Sequence, residues 1–160
     1  VNNIISTDID IGTVRLIGVG GVIDLWGISR PQAYSHKRRG KWGPPDWIAS
    51  GADVWLAERF GPEVGQVDLT QIDRDALPPL LGNKELALCF NVSVRTVETM
   101  QTRGRQDVKT PEPYDRIGKT PVWWAPPWEE FARLTGRKFS LARLPPQSQR
   151  PGFIPYPKPG

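Results

Sequence analysis

Ile28-Ser29-Arg30-Pro31-Gln32-Ala33-Tyr34-Ser35-His36-Lys37-Arg38-Arg39-Gly40 has a counterpart further along the chain, Val92-Ser93-Val94-Arg95-Thr96-Val97-Glu98-Thr99-Met100-Gln101-Thr102-Arg103-Gly104. Both stretches open on an apolar residue and Ser and close on Arg-Gly. Leu16 and Leu80, Gly18 and Gly82, and Ser29 and Ser93 all stand 64 residues apart. A constant offset over several anchors identifies an internal repeat, so one supersecondary unit is built twice. Each copy reads as a short apolar helix, a tight turn and a second helix, the local pattern of a helix-turn-helix.

On the N-terminal side, Leu16, Ile17, Val19, Val22, Ile23, Leu25 and Trp26 supply the apolar residues of the first helix, at helical spacing in its later part. Gly20-Gly21 lowers the intrinsic propensity of that helix, so packing must hold it. Gly27, and Asn91 in the second copy, stand where a helix stops in a left-handed conformation. Ser29 and Ser93 then cap the next helix, with Pro31 tolerated in its first turn. Ile28, Ala33 and His36 are expected to face inward in copy one, as are Val92, Val97 and Met100 in copy two.

On the C-terminal side, Ser50-Gly51-Ala52-Asp53 reads as a turn between apolar pairs, giving a two-stranded wing from Lys41 to Trp55. Val54-Trp55 recurs as Val122-Trp123 at an offset of 68, which predicts a second wing four residues longer. Residues 61–78 form a linker with a short helix opened by Thr70 and closed before Pro78-Pro79. Pro126-Pro127 starts a last helix, Trp128 to Leu134, that Gly136 ends. The prolines from Pro145 to Pro159 then deny residues 137–160 regular structure and make them an extended arm or a disordered end. Residues 1–14 read as a short strand or a lead-in arm.

A chain of 160 residues holds one ordinary domain or two small ones, and the repeat favours two. The 16 Gly, 17 Pro and seven Trp call for short elements and small cores completed by large rings. A net charge of +4 and a pI near 9.5 lean toward an anionic partner. Cys89, between Leu88 and Phe90, reads as a small buried side chain, and a single cysteine builds no disulfide framework. A reducing cytoplasm, at the nucleoid, is the expected location. No apolar run approaches the ~20 residues of a membrane span, and no leader pattern opens the chain, so no membrane partner is expected.

The text Leu16-Ile17-Gly18, Gly27-Ile28-Ser29-Arg30-Pro31-Gln32-Ala33-Tyr34, Arg39-Gly40, Pro44-Pro45, Ser50-Gly51 and Val54-Trp55 resembles the MerR-like, excisionase-type winged helix-turn-helix domains of actinobacteria and their phages and plasmids. Copy two carries the same resemblance at Leu80 to Ala87, Asn91 to Val97, Arg103-Gly104 and Val122-Trp123, so that together the two cover most of residues 15–136. The resemblance implies that the Ser-initiated helix enters the DNA major groove and that the wing lies against the neighbouring backbone or minor groove. Gly20-Gly21 and Glu98 depart from the pattern. Glu98 lets copy two read cytosine through a carboxylate, or else makes it a weak or non-binding partner.

Arg30 and Gln32 can form the bidentate pairs that identify guanine and adenine, and they join Tyr34, Ser35, Arg95, Thr96, Glu98 and Thr99 as expected base-reading residues. Tyr34 has three uses open to it: a phosphate contact, a thymine methyl, or packing. Lys37, Arg38, Arg39 and Lys41 cluster at the end of a helix and are expected on the phosphate backbone, with Gln101, Arg103, Arg105 and Lys119 in copy two. Arg143 and Arg150, among Pro and Gln, could enter a narrow minor groove. His36, the single histidine, lacks ligand-spaced neighbours, so no metal is expected. Gly18-Val19-Gly20-Gly21 lacks the third glycine and the Lys of a phosphate loop, so no nucleotide cofactor is expected either. One His and one Cys assemble no catalytic set, so the chain does not read as an enzyme and no small-molecule substrate is expected. The Trp and Tyr residues around the wings complete cores in preference to stacking on bases.

The expected class is therefore mainly α with small β wings: two tandem winged helix-turn-helix domains, 15–60 and 79–136, with an extended Pro-rich C-terminal tail. The expected function is sequence-specific binding of double-stranded DNA as a phage- or plasmid-type transcriptional regulator, a monomer on an asymmetric site. An excisionase-like or plasmid-partition architectural factor is the alternative within DNA binding. A winged-helix adaptor that binds protein through its wing aromatics is the alternative outside it.

Overall fold

The computed structural model describes residues 14–61, 77–103 and 108–146, the side chain of Arg103 excepted. Copy one consists of β1 (Leu16–Ile17), α1 (Val19–Trp26), α2 (Arg30–Arg38), β2 (Trp47–Ala49), β3 (Ala52–Leu56) and a 3-10 turn (Ala57–Arg59). Copy two repeats the order with β4 (Leu80–Leu81), α3 (Asn83–Phe90), α4 (Val94–Arg103), β5 (Asp115–Ile117), β6 (Thr120–Trp124) and α5 (Ala125–Thr135), followed by a 3-10 turn at Leu141–Arg143. Among the described residues no helix is long and apolar enough to cross a membrane.

The helix-turn-helix grammar has a direct physical cause at each joint. Gly27 and Asn91 end α1 and α3 in the left-handed region, at φ 64° and 56°. Their N–H groups return to carbonyls of the last helical turn. Ser29 Oγ accepts the N–H of Gln32, and Ser93 Oγ accepts that of Thr96, so both second helices start on a hydroxyl cap worth ~1 kcal/mol. In copy one Gln32 closes the box, its side-chain oxygen accepting the N–H of Ser29 at 3.1 Å.

The mainly α class is overturned. About 45% of the described residues are helical and about 18% lie in strands, which form two three-stranded antiparallel sheets, so the fold mixes α and β. Leu16-Ile17, expected in the first helix, is strand β1 and pairs Leu16 with Leu56 and Ile17 with Trp55. Leu80-Leu81 does the same against Trp124 and Trp123. The two hairpins are equally long, with two-residue turns at Ser50-Gly51 and Gly118-Lys119, so the four extra residues of copy two precede its wing instead of lengthening it.

Alternation along the strands places the sheets at the centre of the molecule. Trp55 and Ile17 point to one face, where they join Val22 of α1, Ala33 of α2, Trp42 and Phe60 in a core belonging to copy one. Trp123 and Leu81 point into the equivalent core of copy two, with Leu86, Val97, Met100, Trp128 and Phe131. The opposite faces, Trp47, Ala49, Val54 and Leu56 from one sheet and Leu80, Val122 and Trp124 from the other, meet in a third cluster that also takes in Val14 and Leu77. The layers therefore run helices, sheet, sheet, helices, and each sheet is covered on both sides. Trp47, Trp55, Trp123 and Trp128 are fully buried, and the ring of Trp47 meets that of Trp124 edge-on at 5.7 Å. Truncating any one of them to Ala would cost ~3–5 kcal/mol.

The two copies exchange like contacts across the shared cluster. Trp47 of copy one donates its indole N–H to the carbonyl of Pro78, 2.9 Å away. Tyr114 of copy two donates its hydroxyl to the carbonyl of Val14, the residue 64 places before Pro78. The turn of the first hairpin packs on the start of α3, where Glu85 Oε1 accepts the N–H groups of Ser50 and Gly82 at 2.8 Å each. Ser50 Oγ there accepts the N–H of Lys84. The second hairpin packs on the start of α1, with Ile117 against Gly18. An interface in which surface A meets B while B meets A is isologous, so a pseudo-two-fold axis relates the copies.

Residues 137–146, expected to be extended or disordered, are folded onto copy two. Phe139, Leu141 and Leu144 pack on its core, and the Ser140 N–H donates to the carbonyl of Cys89, itself buried. Three apolar side chains within six residues outweigh the local lack of regular structure. The expected linker helix at Thr70 lies outside the described residues, as do most of the N-terminal arm and the tail from Gln147.

Candidate nucleic-acid interface

Helix α2 is held to its own copy by Ala33, which has no exposed surface, and by half-buried Ile28. That fixes the opposite face outward, where Arg30, Gln32, Tyr34, Arg38 and Arg39 are exposed, with Lys41 just beyond the helix end. Neither α2 nor the turn after it contains a carboxylate, so Arg30, Arg38, Arg39 and Lys41 form a cationic face with no acid on its own element. The last three also lie where the helix dipole is negative, which favours their charge.

Not every expected contact is free. The Lys37 ammonium pairs with the Asp53 carboxylate of β3, both side chains being largely covered, and lies 6.0 Å from the centre of the Tyr34 ring. Lys37 therefore ties α2 to its own hairpin. Gln32 spends its carbonyl oxygen on the cap and keeps its amide N–H groups for other partners. Ser35 and His36 are half-buried beside it.

In copy two, Val97 and Met100 anchor α4, leaving Arg95, Thr96, Glu98 and Thr99 exposed. Thr96 Oγ1 lies 2.9 Å from Ser93 Oγ within the cap. The Gln101 amide donates to Asn83 Oδ1 at 2.7 Å, which locks the end of α4 to the start of α3 in the place where copy one uses Lys37. The outward face of α4 thus carries Arg95 against Glu98, where α2 carries only cations. Lys119 is exposed on the second hairpin turn. Arg103, whose side chain lies outside the described residues, ends α4; Arg105 and Arg150 lie outside altogether. Arg143 is exposed on the 3-10 turn that packs against α3.

The hairpins differ most from what the resemblance implies. Their apolar faces are occupied by the cores and by each other, and the wing aromatics Trp42, Trp47, Trp55, Trp123 and Trp124 are all buried. The residues that set this arrangement were not singled out in the sequence. Asp46, fully buried, accepts the Leu56 N–H at 2.8 Å and takes two hydrogen bonds from Arg59 at 2.7 and 2.6 Å, which pins the edge of the first sheet. Glu85 reaches across to the other copy as described. Its position three residues after Gly82 was a readable capping signal; Asp46 has no local signature. Among known proteins, the chain matches no family, no curated protein and no solved structure.

Proposed function

We propose that this protein binds duplex DNA sequence-specifically through α2 and α4 and acts as a transcriptional regulator. The observation that carries the reading is the outward face of α2: four exposed cations and a Gln amide without a single acid, on a rigid capped helix. Arg30 and Gln32, in the first turn, supply base-edge donors. Arg38, Arg39 and Lys41, in the last turn and beyond, supply phosphate neutralisation. The neutral face of α4 adds discrimination with less affinity. An adaptor reading would need the wing aromatics at the surface, and they are in the cores.

Titration of labelled duplex with the protein at several salt concentrations tests the proposal. The log of affinity should fall linearly with log salt, and Arg38→Gln with Arg39→Gln should flatten the slope by roughly 1.8. Arg30→Ala should cost ~1–3 kcal/mol on a selected site and much less on random duplex. A slope indifferent to the double substitution would remove this face from any DNA contact.

A further inference from the structure

We infer that the end of α1 is a docking site for an extended segment of a partner protein, one that opens on cations and an aromatic residue and continues with aliphatic ones. Residues 64 places apart in the two copies point to it. In copy two, residues 137–146 strap the end of α3: the Phe139 ring meets that of Phe90 edge-on with centroids 4.8 Å apart, and Ser140 donates its N–H to the carbonyl of Cys89 at 3.0 Å. Under this strap Cys89 and Phe90 are 1% and 7% exposed. Their counterparts in copy one, Leu25 and Trp26, are 44% and 42% exposed. The packing beneath is matched, since Trp26 meets Phe60 at 5.4 Å as Phe90 meets Trp128 at 5.8 Å. Trp42 adds a further edge contact and still leaves Trp26 that exposed. Copy one thus presents, side by side, two large apolar side chains whose equivalents copy two covers with a strap.

The surface is preformed and its charge selects the occupant. Trp26 is held by its indole N–H on the carbonyl of Phe60, 2.9 Å away, so little order has to be imposed on binding. Beside Leu25 opens a cavity of about 570 Å³ with Ile17, Gly21 and Ala57 as apolar lining and Arg15, Asp24 and Asp115 as charged lining. Gly21 stands where copy two has Glu85, so α1 sends no side chain into that space, and Asp24 stands where copy two has Leu88. Two carboxylates against one guanidinium favour a segment that brings a cation to this side of Leu25. The strap of copy two has that order of residues, Arg137-Lys138 directly before Phe139 and then Leu141 and Leu144. The occupant of copy one is therefore a segment of the strap's own chemistry supplied by another protein. The site uses none of the outward residues of α2 and does not depend on duplex binding.

A synthetic peptide of residues 137–146, titrated into the intact protein, tests this. Binding should be saturable by fluorescence anisotropy of the labelled peptide, and the NMR signals that move should centre on the amides of Leu25 and Trp26 and on the Trp26 indole N–H. Leu25→Arg, a change at an exposed position, should weaken the peptide ~10-fold or more by removing apolar contact and repelling its cations. Should that variant not fold, the Phe139→Ala peptide on wild-type protein should show a loss of the same size. Asp24→Asn should weaken binding roughly two- to fivefold at low salt and hardly at all at high salt. Shifts confined to Cys89 and Phe90 would mean that the peptide merely replaces the strap of copy two, and would overturn the site. Binding that requires Phe153→Ala, Ile154→Ala and Tyr156→Ala in the full chain would assign the face to the chain's own end and overturn a partner's segment. No binding to either form, or binding indifferent to Leu25→Arg and to Phe139→Ala, would overturn it outright.

Discussion

A methyl group added at Gly18 would fall inside van der Waals contact of Ile117 Cγ2, and one added at Gly82 would fall on Ser50 Oγ and 2.9 Å from its Cβ. Both glycines sit just before a first helix, at φ −110° and −102°, conformations open to alanine. The obstacle is therefore the hairpin of the other copy and not the local backbone. Overpacking of this kind costs ~1–3 kcal/mol. Loss of glycine at a helix N-cap adds roughly 0.5–1 kcal/mol that has no bearing on the hairpin. A double-mutant cycle separates the two contributions. Ile117→Ala removes the clashing methyl and leaves its Cβ at 3.8 Å, an ordinary contact, so it should return about 1–2 kcal/mol of the cost of Gly18→Ala. Ser50→Gly should do the same for Gly82→Ala, since it deletes both close atoms at a residue whose φ of 49° suits glycine. Urea unfolding followed by tryptophan fluorescence measures all six variants. Coupling below ~0.5 kcal/mol in both cycles would mean that the hairpins do not pack on the opposite helices, and would refute the isologous arrangement.

Gly20, exposed in α1 with nothing within 4 Å of an added methyl, is the contrasting case: Gly20→Ala should stabilise the protein by ~0.5–1 kcal/mol, read as a higher urea midpoint at unchanged slope. Glu85→Ala should cost ~2–4 kcal/mol by stranding the N–H groups of Ser50 and Gly82, whereas Glu85→Gln keeps a carbonyl oxygen for them and should retain over half of that, by the same unfolding measurement.

What could be read from the sequence is what is local. The stops at Gly27 and Asn91, the Ser29 and Ser93 caps and the inward Ala33, Val97 and Met100 each depend on residues within one or two helical turns, and each stands where the spacing put it. The outward residues of α2 follow from the same periodicity. The hairpins were legible as well, at the Ser50-Gly51 turn above all, but the third strand of each sheet was not, because a two-residue strand such as Leu16-Ile17 carries no periodicity and its partners, Trp55 and Leu56, lie about 40 residues away. A signal was present in Val54-Trp55-Leu56-Ala57 and Val122-Trp123-Trp124-Ala125. An exposed wing alternates apolar with polar residues, and an unbroken apolar run means a strand covered on both faces. Lys37 looked like a phosphate contact because its partner, Asp53, sits on a different element. The tail misled through its prolines, while Phe139, Leu141 and Leu144 were enough to seat it.

The cluster between the sheets also imposes an order on synthesis. Copy one can close its own core once Gly61 has emerged, since Ile17, Val22, Ala33, Trp42, Trp55 and Phe60 all precede it. The other face of that sheet, with Trp47, Val54 and Leu56, has to wait for Leu80, Val122 and Trp124, and copy two has to wait further for Phe139 to Leu144. At ~5–20 residues per second, the roughly 80 residues between Gly61 and Leu144 take about 4–16 s to make. For that interval the nascent chain carries a formed half with a bare apolar sheet, a surface that suits a chaperone or the same half of a neighbouring nascent chain.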